Sequence, residues 1–221
     1  MKFTWRTEWP LWLLLAIMFV IAAITWAHAP DRVPVHWGSN GEVDRYGGKF
    51  EGVLLFPLVA LVLYALFLLL PRIDPHGASY ARFAGAYTVL RFGILLVLGL
   101  IQFVIHLWIH GNHPRMETLI PVFVGGLFVL LGSVMGKLHP NWFVGVRTPW
   151  TLSSRLSWDK THRLAGWVFG AFGICLIVAG ASGHSGALVA AFILGGVGIL
   201  GTVVYSYVVW RGDPERTRFG P

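Results

Sequence analysis

The sequence predicts an all-α integral membrane protein: a bundle of six transmembrane helices with a small hairpin-like loop on the extracytoplasmic side and an aromatic, basic loop on the cytoplasmic side. Composition is the first observation behind this reading. Of 221 residues, 56% are hydrophobic and only 12% are charged, whereas a soluble domain carries about a quarter charged residues. One aqueous core cannot hide that much apolar surface. The second observation is a supply of eleven Trp and six Tyr, amphipathic rings that settle where hydrocarbon meets headgroups. The third is a set of six apolar runs, each near the roughly 20 residues that cross about 30 Å of hydrocarbon as a helix.

The runs cover residues 9–27, 52–70, 86–108, 119–135, 164–181 and 187–210. Backbone polar groups in hydrocarbon must be satisfied within their own segment, which makes each run a helix, and the strict alternation of a β-barrel is absent. The first run has a rival reading as a signal peptide, because Lys2 and Arg6 precede it and Ala27-His28-Ala29 resembles a cleavage site. Its apolar stretch exceeds a usual signal core and Pro30 would follow the cut, so a retained span is expected. The chain then divides into 1–75, holding two spans and the loop 28–51; 76–136, holding the next two; and 137–221, holding the second long loop and the last two. All three form one membrane domain.

Orientation follows from the cations, since short loops rich in Lys and Arg stay in the cytoplasm. Lys2, Arg6, Arg72, Arg82, Lys137, Arg147, Arg155, Lys160, Arg163, Arg211, Arg216 and Arg218 fall on one side, twelve against the four of Arg32, Arg45, Lys49 and Arg115. Both termini are therefore expected inside. Arg91 lies within the third run near its inner end and is expected to snorkel toward headgroups. The net charge of +7 reflects topology and attraction to anionic lipid, and no nucleic-acid-binding module is visible.

Cys175, the sole cysteine, falls inside the fifth run and reads as a small packing residue. Gly132 and Gly136, and again Gly166 and Gly170, make the spacing that lets helices approach closely, with packing inside one chain favoured over dimerisation. The oligomeric state stays open.

The outer loop 28–51 reads HAPDRVPVHWGSNGEVDRYGGKFE. Residues 33–37 and 42–45 flank Asn40-Gly41, a pair favoured in a two-residue hairpin turn because both central positions need positive φ. A hairpin on the membrane surface follows, with Trp37 and Tyr46 as headgroup anchors. It is either a lid over helix ends or a surface that meets a ligand.

The inner loop 137–163 reads KLHPNWFVGVRTPWTLSSRLSWDKTHR. Pro149 forces Thr148 toward an extended conformation, and Ser157 is placed to cap a helix running through Trp158 and Asp159 into the fifth span. Trp142, Trp150 and Trp158 are expected at the interface, with Arg147, Arg155, Lys160 and Arg163 toward phosphates. An ordinary aromatic and basic belt explains the composition equally.

Two strings go further. PNWFVGVRTPWTLSSRLSWDKTHRLAG, residues 140–166, resembles the signature segment of the SdpI family of bacterial membrane proteins. PDRVPVHWGSNGEVD, residues 30–44, with the LLP and DP of 69–75, resembles the domain common at the amino-terminal end of that family. The resemblance implies a six-span protein of the bacterial cytoplasmic membrane that neutralises a secreted peptide toxin, and that signals, in the type member, by holding a transcriptional repressor at the membrane. The family pattern maps onto Pro34, His36, Trp37, Gly41 and Asp44 outside, and onto Asn141, Gly145, Arg147, Thr148, Pro149, Trp150, Trp158 and His162 inside, with Thr151, Ser153, Thr161 and Gly166 completing the inner motif. These are the expected ligand and partner positions.

Two other function classes compete. His28, His36, His106, His110, His113 and His184 gather on the outer side, and His106 and His110 share a helix face at i and i+4, a spacing compatible with a metal. No HExxH motif accompanies them. A small transporter or channel needs several ionisable groups along a path, and the candidates are few: Gln102, His106 and Arg91. The reading is therefore non-enzymatic, with no cofactor.

Overall fold

The computed structural model describes residues 3–38 and 41–216. Helix α1 runs Trp5–His28, followed by strands β1 (Val33–Trp37) and β2 (Val43–Gly47). A π-helical turn, Phe50–Leu54, leads into α2 (Leu55–Ile73), and a 3-10 turn, Gly77–Ala81, precedes α3 (Ala84–Ile109). Then come α4 (Met116–Met135), the single turn α5 (Pro149–Leu152), α6 (Arg155–Ser182) and α7 (Ser185–Arg211). Six of these helices are long and apolar enough to cross a membrane, in the order expected.

The helices pack as two groups. α1, α2 and α3 surround Leu11, Leu15, Met18, Ala60, Tyr64 and Leu95. α6 packs between α4 and α7, and α3 against α4 joins the groups. The glycines explain the closeness of α4 and α6: a Cβ on Gly132 would lie 2.7 Å from both the Gly166 carbonyl oxygen and the Gly170 nitrogen. Gly132 and Gly166, one from each GxxxG pair, thus serve packing within the chain. Val189, Ile193, Val197, Leu200 and Val204 of α7 are exposed apolar residues, the composition a lipid-facing helix surface requires. Cys175 is exposed on α6, so it is no core packing residue.

The chain order gives the bundle two ends. One carries the hairpin with the α3–α4 and α6–α7 connections; the other carries the 74–83 connection, the 136–154 segment and both ends of the described chain. We call them the hairpin face and the signature face. The 26 residues of α3 separate them by about 39 Å at 1.5 Å per residue.

Val33 anchors the hairpin: it is fully buried with Ala22, Ala29, Val53 and Ile105, and Trp37 packs against this cluster. The strands pair antiparallel, Val33 with Gly47 and Trp37 with Val43, with irregular register between. Closure is wider than the two-residue turn expected: Gly38 N–H donates to Glu42 O at 2.8 Å and Gly41 N–H to Gly38 O at 3.0 Å. Gly41 supplies the positive φ, +80°. Asn40 lies outside the described residues.

Candidate functional site

On the signature face, the irregular segment 138–154 satisfies the backbone N–H groups of Trp142, Phe143, Val144, Val146, Thr148 and Thr151 with side chains. Asn141 is fully buried. Its amide donates to His139 O at 2.9 Å and Val144 O at 3.0 Å, and its carbonyl accepts from Phe143 N–H at 3.0 Å and Val144 N–H at 2.7 Å. Asn141 therefore shapes the loop from within. Gly145 follows with φ +111°, and a Cβ there would strike the His162 ring.

His162 and Trp158 fasten this loop to α6. Trp158 Nε1–H donates to Leu138 O at 2.8 Å and the indole stacks on His162 with centroids 4.0 Å apart. Val146 N–H donates to His162 Nε2 at 3.0 Å, which leaves Nδ1 carrying the hydrogen that meets Trp158 O at 2.8 Å. Trp158 was expected at the membrane interface; it is fully buried instead, because its place on α6 turns it under the loop. Trp142 is exposed, and Trp150 meets Tyr207 of α7 edge-on at 5.2 Å.

Thr148 starts α5 with a capping box: Thr151 N–H donates to Thr148 Oγ1 at 3.2 Å and Thr148 N–H to Thr151 Oγ1 at 2.9 Å, with Pro149 opening the turn. The Thr148 hydroxyl also lies 3.0 Å from the Ser206 hydroxyl of α7. Ser154, not Ser157, caps α6, accepting from Ser157 N–H at 2.9 Å; Ser157 is one turn inside and donates to Ser206 O at 2.8 Å. The Ser154 hydroxyl donates to Asp213 at 2.5 Å. That bond, with the Glu215 N–H, holds the Asp213 carboxyl below its ordinary pKa against the opposing effect of burial. Arg147 is exposed, and its guanidinium donates to Trp142 O at 2.8 Å.

One brace comes from the other half of the chain. Asp74, at the end of α2, is buried. It accepts from Trp142 N–H at 2.9 Å, Tyr80 OH at 3.0 Å and His76 N–H at 2.7 Å. Burial and then donation to Asp74 push the Tyr80 phenol above its ordinary pKa. Ser79 adds a bond to Pro140 O at 2.8 Å.

Arg91 does not snorkel. It is fully buried against Glu8 of α1, which is also buried, with one guanidinium–carboxylate bond at 3.2 Å and a shorter second one. The rings of Phe3, Tyr64 and Tyr87 surround the guanidinium at 4.9 to 5.7 Å. A carboxylate one turn into α1 removes the reason for the arginine to reach water.

On the hairpin face, His36 Nδ1 lies 2.6 Å from Asp44 Oδ1, with side chains 62% and 51% exposed. Pro34 pairs with Tyr46 across the strands. A Cβ on Gly41 would meet the Glu117 carboxylate at the start of α4. The His106 and His110 rings touch, 4.2 Å between centroids, and His28 lies 5.4 Å from His110. Their Nδ1 atoms are engaged by Thr25, His106 O and Ile24 O respectively. Among the described residues no three His, Cys, Asp or Glu side chains are grouped to hold a metal ion, so the i, i+4 spacing lacks further ligands.

The structure therefore assembles the inner motif residues on one face and the hairpin residues on the other. Reading the sequence missed Glu8, Asp74, Tyr80, Ser154 and Asp213. Two signals were available: an arginine that is the sole Lys, Arg, Asp or Glu of α3, needing a partner if it stays inside, and the Asp-Pro pair closing α2.

A membrane bundle of six helices, with a polar segment braced across one face and an ordered hairpin on the other, is the class this geometry defines. Residues 137–206 match the SdpI/YfhL protein family and residues 13–61 match a domain of unknown function, DUF1648. The chain is a multi-pass membrane protein whose residues 137–206 are similar to the SdpI/YfhL family and whose amino-terminal part is similar to DUF1648. It is 24% identical over 166 residues to the immunity protein SdpI of Bacillus subtilis strain 168, covering 75% of this chain and 77% of that protein. An uncharacterized protein of Archaeoglobus fulgidus is 30% identical over 59 residues, which is 27% of this chain and 32% of that protein. No solved structure matches the chain.

Proposed function

We propose that this protein is a bacterial immunity factor of the SdpI type, neutralising a secreted peptide toxin at the hairpin face and signalling through the signature face to a cytosolic repressor. Both termini and the signature face lie in the cytoplasm, on the count of twelve Lys and Arg against four. The exposed His36–Asp44 pair carries the toxin-binding reading: a hydrogen-bonded imidazole and carboxylate on a strand pair anchored by Val33 offer a fixed polar epitope at the headgroups. Pro34, Trp37 and Gly41 hold its shape. Inside, Asn141, Gly145, Thr148, Pro149, Trp150, Trp158 and His162 form the scaffold, and exposed Arg147 meets the acidic partner. The three sequence segments act as one domain, with toxin binding favouring one arrangement of the signature segment.

The test is survival of a toxin-sensitive bacterium, with and without this protein, challenged with peptide secreted by the source strain and its relatives. Protection against one peptide that is lost in His36→Ala/Asp44→Ala at equal membrane abundance supports the reading. Absence of protection at verified expression overturns it. One observation favours a second reading as a transporter: the Glu8–Arg91 pair buried within the span region, since intramembrane charges mark ion pathways. Proton flux in proteoliposomes that vanishes in Glu8→Gln decides for it.

A further inference from the structure

A cleft of about 410 Å³ opens between α4 and α6 toward the signature face. On α4 it is lined by Gly132, Ser133 and Gly136, and on α6 by Arg163, Trp167 and Gly170. Each set lies on a single helix face by its spacing of three and four residues. The close approach of the helices at Gly132 forms the floor. The wall beside it is open: a Cβ on Gly170 would meet nothing within 4 Å.

Charge sits at one end only. Lys137, which also lines the cleft, follows the end of α4, and Arg163 is two turns into α6. Both are exposed, and neither forms a salt bridge among the described residues, where the pairs are His36–Asp44, Arg45–Glu51, Arg91–Glu8 and Arg155–Asp159. Trp167 between them and the apolar depth is 76% exposed, the largest value among the exposed large hydrophobics. The order along the cleft is cation pair, indole, then glycine-walled apolar groove, reaching about 12 Å from Lys137 to Val129 at the helical rise.

We propose that this cleft binds one anionic glycerophospholipid, its phosphate between Lys137 and Arg163, its glycerol region beside Trp167 and one acyl chain along Gly136, Gly132 and Gly170. The chemistry selects that occupant. Unpaired cations at the membrane surface attract anionic headgroups, an indole suits the headgroup boundary, and a groove bare of side chains admits a methylene chain. An extended peptide segment would leave its backbone groups unsatisfied on the apolar wall.

Native mass spectrometry of the purified full chain, released from nanodiscs of equal phosphatidylglycerol and phosphatidylcholine, tests this. The wild type should retain one phosphatidylglycerol in preference to phosphatidylcholine. Lys137→Gln/Arg163→Gln should weaken that retention at least tenfold, on the order expected for two surface cations. Lys137→Arg/Arg163→Lys should keep it. Gly170→Leu, with both cations present, should lose it by filling the groove, and 10-fold excess inorganic phosphate should not displace the lipid. Equal retention of both lipids by the wild type, undiminished retention in the double Gln variant, or displacement by phosphate overturns the proposal. Should Gly170→Leu fail to fold, the two charge variants decide alone.

Discussion

Asp74 and Trp142 meet through one hydrogen bond, the Trp142 N–H donating to the Asp74 carboxylate at 2.9 Å across 68 positions of sequence. This bond ties the connection after α2 to the signature segment, and Tyr80 OH donates to the same oxygen from within that connection. Asp74→Ala leaves a backbone N–H and a buried phenol without their acceptor, at a cost of about 2 to 3 kcal/mol for bonds to a charged group. Hydrogen exchange at residues 141–146 should accelerate while the hairpin stays protected. Unchanged exchange there would refute the brace.

Breaking the Glu8–Arg91 pair should cost more than removing it. Arg91→Met strands a buried carboxylate, and such single losses cost roughly 3 to 5 kcal/mol. Glu8→Leu/Arg91→Met, which removes both charges, should recover most of the melting temperature lost in detergent. A double variant no more stable than the single one would show that the pair is not the unit.

Gly145 and Gly136 make a matched comparison. At Gly145 any side chain meets both φ +111° and the His162 ring, so Gly145→Ala should destabilise by roughly 1 to 3 kcal/mol. Gly136 has φ -68° and its nearest Cβ neighbour is Arg163 Cα at 3.9 Å, so Gly136→Ala should be silent. Thermal melts of the two variants check this.

Ser154→Ala removes the α6 cap, costing about 1 kcal/mol, and also frees Asp213. The Asp213 carboxyl is held below its ordinary pKa, so its contribution is present above the ordinary carboxylate range and lost as pH falls through the lowered value. The melting difference between wild type and Ser154→Ala should therefore be larger at pH 7 than at pH 3. An equal difference at both would assign the whole effect to the cap.

The spans were legible because crossing hydrocarbon demands long apolar runs, and nothing else in the chain imitates them. The hairpin was legible from Gly41 and the flanking strands, though not its width, since closure at Gly38 and Glu42 depends on where Val33 docks. The signature scaffold was legible as a string but not as a geometry. Trp158 has the composition of a belt residue, and only the position of the loop over α6 buries it. Arg91 misled for a related reason. A lone arginine near a membrane face snorkels unless a partner waits inside, and Glu8 was 83 positions away.

That separation bears on how the protein is made. Glu8 leaves the ribosome with α1, and its partner emerges only with α3, after the hairpin and α2 have been synthesised. Until then a carboxylate near the helix end must stay hydrated at the bilayer edge, because the arginine that buries with it has yet to arrive. α1 is therefore free to adjust its depth during insertion, and the arrival of Arg91 latches it. The first three helices become a committed unit once that pair has formed.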